Sequence, residues 1–95
     1  MKIKMKKLEY KKLERIIKGV ANHRRIQILE LLQKEPELSV QEIANNLNSE
    51  MKNISAHINK MAIAGLLMKR SDSKSIRHKL TKRGNVILKF VRMLE

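Results

Sequence analysis

The sequence predicts a mainly helical fold with one small β-hairpin, in the order helix, helix, helix, helix, strand, strand, helix. Apolar residues recur at helical spacing along five segments. Breakers are few, with one Pro and three Gly. A polar stretch, residues 71–75, separates two short apolar runs in the way a hairpin tip does. With 95 residues and no internal repeat, we expect a single domain spanning residues 1–95.

The first two helices are predicted from apolar stripes and from the residues that flank them. The first runs from about Lys6 to Lys18 and ends at Gly19, a residue type favoured at helix C-caps. Asn22 is placed to N-cap the second helix, which ends before Pro36 because the residue preceding a proline disfavours α geometry. The stripes are Leu8, Leu13, Ile16, Ile17 and Val20, then Ile26, Ile28, Leu29, Leu31 and Leu32.

The third and fourth helices are separated by a short polar break. Ser39 and Glu42 have the spacing of a capping box and predict the start of a short third helix. Asn48–Ser49 ends it, and the fourth helix runs from about Glu50 to Ala64, with Gly65 as its terminator. The expected inward positions are Val40, Ile43, Ala44 and Leu47 in the third helix and Ile54, Ile58 and Met61 in the fourth.

The hairpin and a last helix complete the chain. We expect strands at Leu66–Arg70 and Ile76–Leu80, with Leu66 and Met68 pairing with Ile76 and Leu80 on one face. The last helix is predicted over Thr81–Leu94. Its apolar stripe is Val86, Ile87, Phe90, Val91 and Leu94.

The charge balance points to a polyanionic partner. Lys and Arg number 22 against 9 Asp and Glu, which gives a formal net charge of +13. DNA, RNA and an acidic membrane surface all fit such a balance. RNA is disfavoured because single-strand modules stack bases on exposed aromatic side chains, and the aromatic content here is 2%. A membrane-surface role for residues 1–18 is disfavoured because that segment has no Trp or Phe.

Several other classes of function are not favoured. The absence of Cys removes disulfides, thiolate metal sites and a Cys nucleophile. His23, His57 and His78 share no metal-ligand spacing, and no carboxylate pair, Gly-rich phosphate loop or Ser-His-Asp set suggests catalysis. The segment MKIKMKK lacks the apolar stretch of a signal peptide, and no segment has the roughly 20 apolar residues of a bilayer span. We therefore expect a cytoplasmic protein that is not an enzyme and has no cofactor.

A short capped helix, a turn, a longer helix and a basic hairpin in direct succession predict a winged helix-turn-helix. An α-helix fits a major groove about 12 Å wide, and the N-terminal residues of the recognition helix reach the base edges. Lys52 and Asn53 are thus the expected base-reading residues. The remaining candidates are expected to contact phosphates or flank the groove. The candidate DNA-binding residues are Lys52, Asn53, Ser55, Ala56, His57, Asn59, Lys60, Lys69, Arg70, Lys74 and Arg77.

Four segments together resemble the ArsR-type (arsenic-repressor-like) regulators: Asn22–Leu29, Asn53–Ile58, Ala64–Leu67 and Ile76–Leu80. The resemblance implies a homodimer that reads two half-sites of double-stranded DNA. It also implies that residues 1–20 and 81–95 form the dimer interface. The apolar candidates there are Leu13, Ile16, Ile17, Val86, Ile87, Phe90 and Val91.

The chain departs from the metal-sensing members of that family. Those members carry Cys-x-Cys on the third helix, where this chain has Ser39-Val40-Gln41. Others use His and carboxylates on the last helix, but residues 81–95 contain no His and only the acid Glu95. The ligands that zinc or a softer ion prefers are missing at both places. We therefore expect a variant that does not sense metal.

The leading hypothesis is a sequence-specific transcriptional regulator, with repression as the expected mode and activation as the alternative. A second hypothesis is an architectural DNA-binding protein with little base discrimination, which the excess of charge favours. A third is a winged helix that binds acidic protein partners, since a fold alone does not fix function.

Overall fold

The computed structural model describes residues 5–95. It contains five helices and one antiparallel hairpin, and the predicted order of the seven elements is confirmed. The elements are α1 (Lys7–Val20), α2 (His23–Lys34), α3 (Val40–Leu47), α4 (Met51–Ile63), β1 (Leu67–Ser71), β2 (Ile76–Leu80) and α5 (Lys82–Arg92). The two strands and residues 72–75 between them form the hairpin that we call the wing.

Two predicted N-caps are confirmed. The Asn22 side-chain oxygen accepts hydrogen bonds from the backbone N–H groups of Arg24 at 2.8 Å and Arg25 at 3.4 Å. Ser39 Oγ accepts from the Glu42 N–H at 3.1 Å, while a Glu42 carboxylate oxygen accepts from the Ser39 N–H at 2.9 Å. These bonds satisfy N–H groups that have no partner within the helix, so each helix begins where the sequence indicates.

The core is built from aliphatic side chains and lies around α2. Ile28 and Leu29 are fully buried, and they pack with the inward residues of α3 and α4. The last helix contributes Leu88, which is 1% exposed although it lies outside the predicted stripe. The buried apolar set is Ile16, Val20, Ile28, Leu29, Leu32, Ile43, Ala44, Ile54, Ile58, Met61, Ala64, Leu66, Leu67, Leu80 and Leu88.

The prediction that Gly19 ends the first helix is wrong. The helix continues to Val20, and Ala21 is its C-cap. A Cβ on Gly19 would overlap the Cβ of Ala64, so the missing side chain allows α1 to approach the end of α4 closely. Gly19 is therefore required by the packing of α1 against α4, not by a turn.

The wing has a different register from the one predicted. Leu67 lies opposite Leu80, and Met68 lies opposite Lys79. Met68 and Ile76 are both about half exposed, whereas Leu67 and Leu80 are buried. The predicted pairing of Leu66 and Met68 with Ile76 and Leu80 is therefore wrong. The strand begins one residue later than expected, and a shift of one residue exchanges the faces of all its side chains.

His78 attaches the wing to the segment before α3. Its backbone N–H donates to the Leu38 carbonyl at 3.0 Å, and its own carbonyl accepts from the Glu37 N–H at 2.9 Å. Its ring Nδ1 lies 2.8 Å from the same Leu38 carbonyl. Since a carbonyl only accepts, Nδ1 carries the proton. The side chain is 1% exposed, and burial lowers its pKa below the ordinary value against the opposing effect of this hydrogen bond.

Candidate nucleic-acid interface

Helix α4 presents a polar face to solvent and an aliphatic face to the core. Ile54 and Ile58 are at most 1% exposed. Ser55 and His57 are partly buried at the two edges of the outward face. The exposed residues on that face include the predicted set Lys52, Asn53, Ala56, Asn59 and Lys60. The predicted inward and outward positions of this helix are thus confirmed.

The turn before α4 is fixed by contacts from both neighbouring helices. Asn48 adopts a left-handed conformation with φ of 51°, which Asn tolerates better than most residues. The Ser49 N–H donates to the Ala44 carbonyl at 2.9 Å. Arg24 Nη1 of α2 donates to the Leu47 carbonyl at 3.2 Å. These contacts set the direction in which α4 leaves the body of the protein.

The wing and α4 are joined by two of the predicted site residues. Lys69 Nζ of β1 donates to the Asn59 side-chain oxygen at 2.7 Å. A hydrogen bond from a charged donor is stronger than a neutral one, although both groups here are exposed. The contact places the basic hairpin directly beside the outward face of α4.

Arg77 is engaged by acidic partners, which sequence reasoning missed. Its Nε lies 2.9 Å from an Asp72 carboxylate oxygen and its Nη1 lies 3.4 Å from one of Glu42. Nη1 also donates to the Glu37 carbonyl at 3.1 Å. The hydrogen bond to Asp72 raises the pKa of Arg77. Arg77 therefore links the wing to α3, and Arg70 is similarly paired with Glu37 at 3.2 Å.

Asp72 shapes the hairpin tip. One of its carboxylate oxygens accepts from the backbone N–H groups of Lys74 and Ser75, both at 2.8 Å. These bonds, led by the one from Lys74 and joined by the Arg77 side chain, hold the pKa of this carboxyl well below its usual range. An Asp at the start of a polar turn is a known signal for this local bonding. In the turn that these bonds form, the Lys74 side chain is exposed at the tip of the wing.

His57 is held at the edge of α4 by α2. Its Nδ1 accepts a hydrogen bond from Arg25 Nε at 3.1 Å. Arg only donates, so Nδ1 is unprotonated and the proton of the neutral ring lies on Nε2. Partial burial lowers the pKa of His57, and the positive charge of Arg25 adds to that effect. A neutral ring with a free Nε2–H donor therefore lies next to the exposed face.

The candidate dimer residues divide between core and surface. Ile16 is 9% exposed and belongs to the core of the single chain, and Ile87 packs against that core. Val91 is partly buried. Leu13, Ile17, Val86 and Phe90 are between 44% and 58% exposed. Sequence reasoning did not include Leu8 or Met93 in this set, although both are more than 70% exposed on or next to the same helices.

Among residues 5–95, no helix has both the length and the apolarity needed to cross a membrane. Within the same part of the chain, His, Cys, Asp and Glu side chains do not come together in groups of three or more that could hold a metal ion.

The family model described as HVO_A0114 matches residues 20–82, about two thirds of the sequence. The chain belongs to the HVO_A0114 family. The matched region runs from the end of α1 to the start of α5, so it contains α2, α3, α4 and the wing. The family assignment therefore covers the candidate interface of this HVO_A0114-family chain. No protein of curated function matches the sequence.

Solved structures share the fold of this HVO_A0114 member. One is Mb0332 from Mycobacterium bovis, a homodimeric winged helix-turn-helix DNA-binding domain described as a possible ArsR-family transcriptional regulator. It has a TM-score of 0.84 at 23% identity, with coverage of 99% of this chain and 89% of that one. The transcriptional regulator HlyU from Vibrio vulnificus has a TM-score of 0.73 at 27% identity, with coverage of 92% and 91%. NolR from Sinorhizobium fredii has a TM-score of 0.80 at 24% identity, with coverage of 99% and 93%.

These similarities confirm the predicted fold class. The HVO_A0114-family chain is a winged helix-turn-helix domain in the order of five helices and one hairpin described above. Its structural neighbours include proteins described as a possible ArsR-family transcriptional regulator, a MarR family transcription regulator and a possible transcriptional regulator for arsenical resistance.

Proposed function

We propose that this chain is a sequence-specific transcriptional regulator that binds double-stranded DNA as a homodimer, with repression as its mode. One observation carries the proposal. The outward face of α4 is polar and exposed, and the wing is bonded to it through Lys69 and Asn59. The net charge of +13 supplies the attraction to a polyanion. The names of the structural neighbours agree with a regulator of this kind.

We assign base reading to the start of α4. Lys52 and Asn53 lie in its first turn and are exposed, where a recognition helix meets base edges. Lys donates to guanine, and Asn pairs with adenine through two hydrogen bonds. Ser55, Ala56, His57, Asn59 and Lys60 flank this reading position in the proposed complex.

We assign phosphate contacts to the wing, and its basic residues differ in how free they are to make such contacts. Lys74 is exposed at the tip and is the strongest candidate. Lys69 and Arg70 are exposed but already bonded to Asn59 and Glu37. Arg77 is paired with Asp72 of the wing and Glu42 of α3, so we propose that it orients the wing and contacts DNA only secondarily.

The homodimer is proposed to form through α1 and α5. The exposed apolar side chains on these helices would lose contact with water in a symmetric interface. The proposed contact residues are Leu13, Ile17, Val86, Phe90 and Val91, together with Leu8 and Met93. Ile16 and Ile87 support that surface from within the chain. The whole domain, residues 1–95, is then one DNA-binding unit with dimerisation helices at 1–20 and 81–95.

We further propose an ArsR-like variant that does not sense metal, acts in the cytoplasm and has no enzymatic activity. Its support is the chemistry of the residues at the two sensing positions. Ser39-Val40-Gln41 begins α3, and the described part of the last helix offers no His or carboxylate ligand before Glu95.

Selection of bound fragments from a random duplex pool tests the proposal. A specific regulator enriches one palindromic sequence and binds it roughly 10³-fold or more tightly than random duplex at the same salt concentration. Enrichment without a shared sequence would contradict specific recognition. Failure to bind any duplex at ~50 mM salt would contradict DNA binding and favour an acidic protein partner.

The second candidate is an architectural DNA-binding protein. The observation that favours it is the run of exposed lysines on α1, which includes Lys7, Lys11 and Lys12. Such a protein would bind all duplexes with similar affinity and a steep dependence on salt concentration. The ratio of cognate to random affinity separates it from the proposed regulator.

A further inference from the structure

A basic cleft lies on the surface between α1, α2 and α4. Four cationic side chains line it: Arg15 and Lys18 from α1, Arg25 from α2 and Lys60 from α4. Its remaining lining residues are Gly19, Ile63 and Ala64. Glu14 approaches Lys18 Nζ at 3.5 Å, but it is not among the lining residues, and this exposed pair offsets little of the charge.

The cleft has a defined geometry because Arg25 bridges its walls. Arg25 Nη1 donates to the Lys18 carbonyl at the end of α1, at 2.9 Å. Its Nε donates to His57 of α4 at 3.1 Å. One guanidinium thus connects all three helices beside the cleft that Arg25 lines.

The basic cleft and the wing lie on different sides of α4. The wing contacts α4 at Asn59, whereas α2 contacts it at His57. At 3.6 residues per turn, positions two residues apart point in directions about 160° apart around the helix axis. Lys60 lines the cleft, so the cleft follows the His57 edge.

The same edge continues towards the start of α4. A second groove there is lined by the N-terminal residues of α2 and by residues of α4, among them His23, Arg24, Asn53 and His57. The cations of the cleft therefore adjoin the groove that contains Asn53, the proposed base-reading residue.

We infer that this edge of α4 binds the phosphates of the DNA strand across the major groove from the strand that the wing contacts, with Arg15, Lys18 and Lys60 as the phosphate ligands. The inference rests on the proposed function. A helix in a major groove lies between two phosphate strands, and the wing accounts for only one. Cations that line one cleft attract phosphate oxygens, and each phosphate contact releases condensed counterions from the duplex. None of the residues contributed by α1 and α2 was among those expected to contact DNA from sequence.

The test compares two double variants that each remove two positive charges from exposed positions. Arg15→Gln with Lys18→Gln removes the charges that α1 places in the cleft. Lys34→Gln with Lys89→Gln removes two charges from exposed positions outside it. Affinity for duplex DNA is measured by fluorescence anisotropy between about 0.05 and 0.3 M salt. Circular dichroism melting checks that both variants fold, as the exposed positions and the helix propensity of Gln lead us to expect.

The cleft variant is expected to reduce the slope of log affinity against log salt by up to about 1.8, since each phosphate contact contributes about 0.9. At ~0.15 M salt this corresponds to a roughly ten- to thirty-fold loss of affinity. The matched variant should leave the slope nearly unchanged. Arg15→Lys with Lys18→Arg, which keeps both charges, should bind like the wild type.

Equal slopes for the two double variants would overturn the inference and leave DNA binding itself intact. Absence of duplex binding by the wild type would overturn the proposed function together with the inference. Titrations with inorganic phosphate and with benzoate test whether the cleft binds a free small anion instead of DNA phosphate. Binding is followed by NMR through the amide signals of Lys60 and Ala64. Saturable binding of either anion without a change of salt slope in the cleft variant would assign the cleft to a free small anion instead.

Discussion

The Lys69 ammonium and the Asn59 side-chain oxygen, 2.7 Å apart, join the wing to α4. Because the two residues belong to the two elements that we propose to contact DNA, their bond helps to orient the wing relative to α4.

We predict that Lys69→Met weakens DNA binding more than Lys79→Met does. Both changes remove one charge from exposed positions of the wing, and only the first also removes the bond to Asn59. Anisotropy titrations measure affinity, and hydrogen exchange of residues 71–75 reports the mobility of the tip. Equal losses of affinity and equal exchange in the two variants would show that the bond does not orient the wing.

We predict that Lys52→Ala with Asn53→Ala erodes discrimination between duplexes, while Lys74→Ala weakens all duplexes about equally. The first pair reads base edges, at about 1–3 kcal/mol for each good contact, and the second neutralises a phosphate. Affinities for selected and random duplexes over a range of salt concentrations separate the two effects. The Lys74 variant should lower the salt slope by about one unit. Matching behaviour of the two variants would show that these roles are wrongly assigned.

Gly19→Ala is predicted to destabilise the domain, by about 1–3 kcal/mol, because its Cβ would overlap Ala64 at the closest approach of α1 and α4. The sign of the change in the free energy of unfolding distinguishes a closely packed position from an open one. At an open helical position the same change would stabilise the protein by up to about 1 kcal/mol. Urea denaturation gives the free energy of unfolding, and Lys12→Ala, an exposed change on the same helix, should alter it by no more than about 0.5 kcal/mol. A stabilised Gly19 variant would exclude the close approach.

Stability is predicted to fall as the pH drops below about 6.5, the ordinary pKa of His. Burial lowers the pKa of His78 in the folded chain, so the unfolded chain binds a proton in this range while the folded chain does not. The difference reduces the free energy of unfolding by at most about 1.4 kcal/mol per pH unit for this group. His57 acts in the same direction.

His78→Asn tests the contribution of the buried ring. Its amide can still donate to the Leu38 carbonyl but does not titrate, so the loss of stability between pH 7 and pH 5 should be smaller than in the wild type. Thermal melts at each pH measure the difference. Parallel stability curves for the two proteins would mean that His78 does not contribute to the pH dependence.

The pair Val86→Asp and Phe90→Asp is predicted to convert a dimer into a monomer. These side chains are 58% and 50% exposed and lie one helical turn apart on α5, so two carboxylates there would be forced into an apolar interface. Light scattering should give twice the chain mass of 11.1 kDa for the wild type and the single mass for the variant. Met68→Asp, at an exposed apolar residue of the wing, is the control and should remain dimeric. A monomeric wild type would refute the proposed interface.

Local signals in the sequence predicted the order of elements and the helix starts. Asn22 and Ser39 cap helices through hydrogen bonds to residues at most three positions away, so the start of each helix can be predicted from the local sequence. The inward and outward faces of α4 follow from a 3.6-residue repeat in the same way. The composition of the candidate interface was predictable for this reason.

Contacts between distant segments were not predictable in the same way. Gly19 and Gly84 are required because Ala64 and the Leu66 carbonyl occupy the space of their missing side chains, and nothing near either glycine in sequence indicates that neighbour. The binding of Arg77 to Glu42 and of Arg25 to His57 joins residues more than 30 positions apart. These long-range pairs decide which cations of a very basic chain stay free to meet a ligand.

The wing residues Lys69, Arg77 and His78 bond to Asn59, Glu42 and Leu38, and so connect the wing to α4, to α3 and to the segment before α3. The proposed dimer interface lies instead on α1 and α5. If the proposed dimer forms, the sequence that each subunit recognises and the distance between the two recognised half-sites are determined by different parts of the polypeptide. A chimera that keeps residues 20–82 and takes foreign outer helices would recognise the same short sequence at a new operator spacing, although without the phosphate contacts inferred for Arg15 and Lys18. Changes of regulatory target could accordingly arise through either part alone.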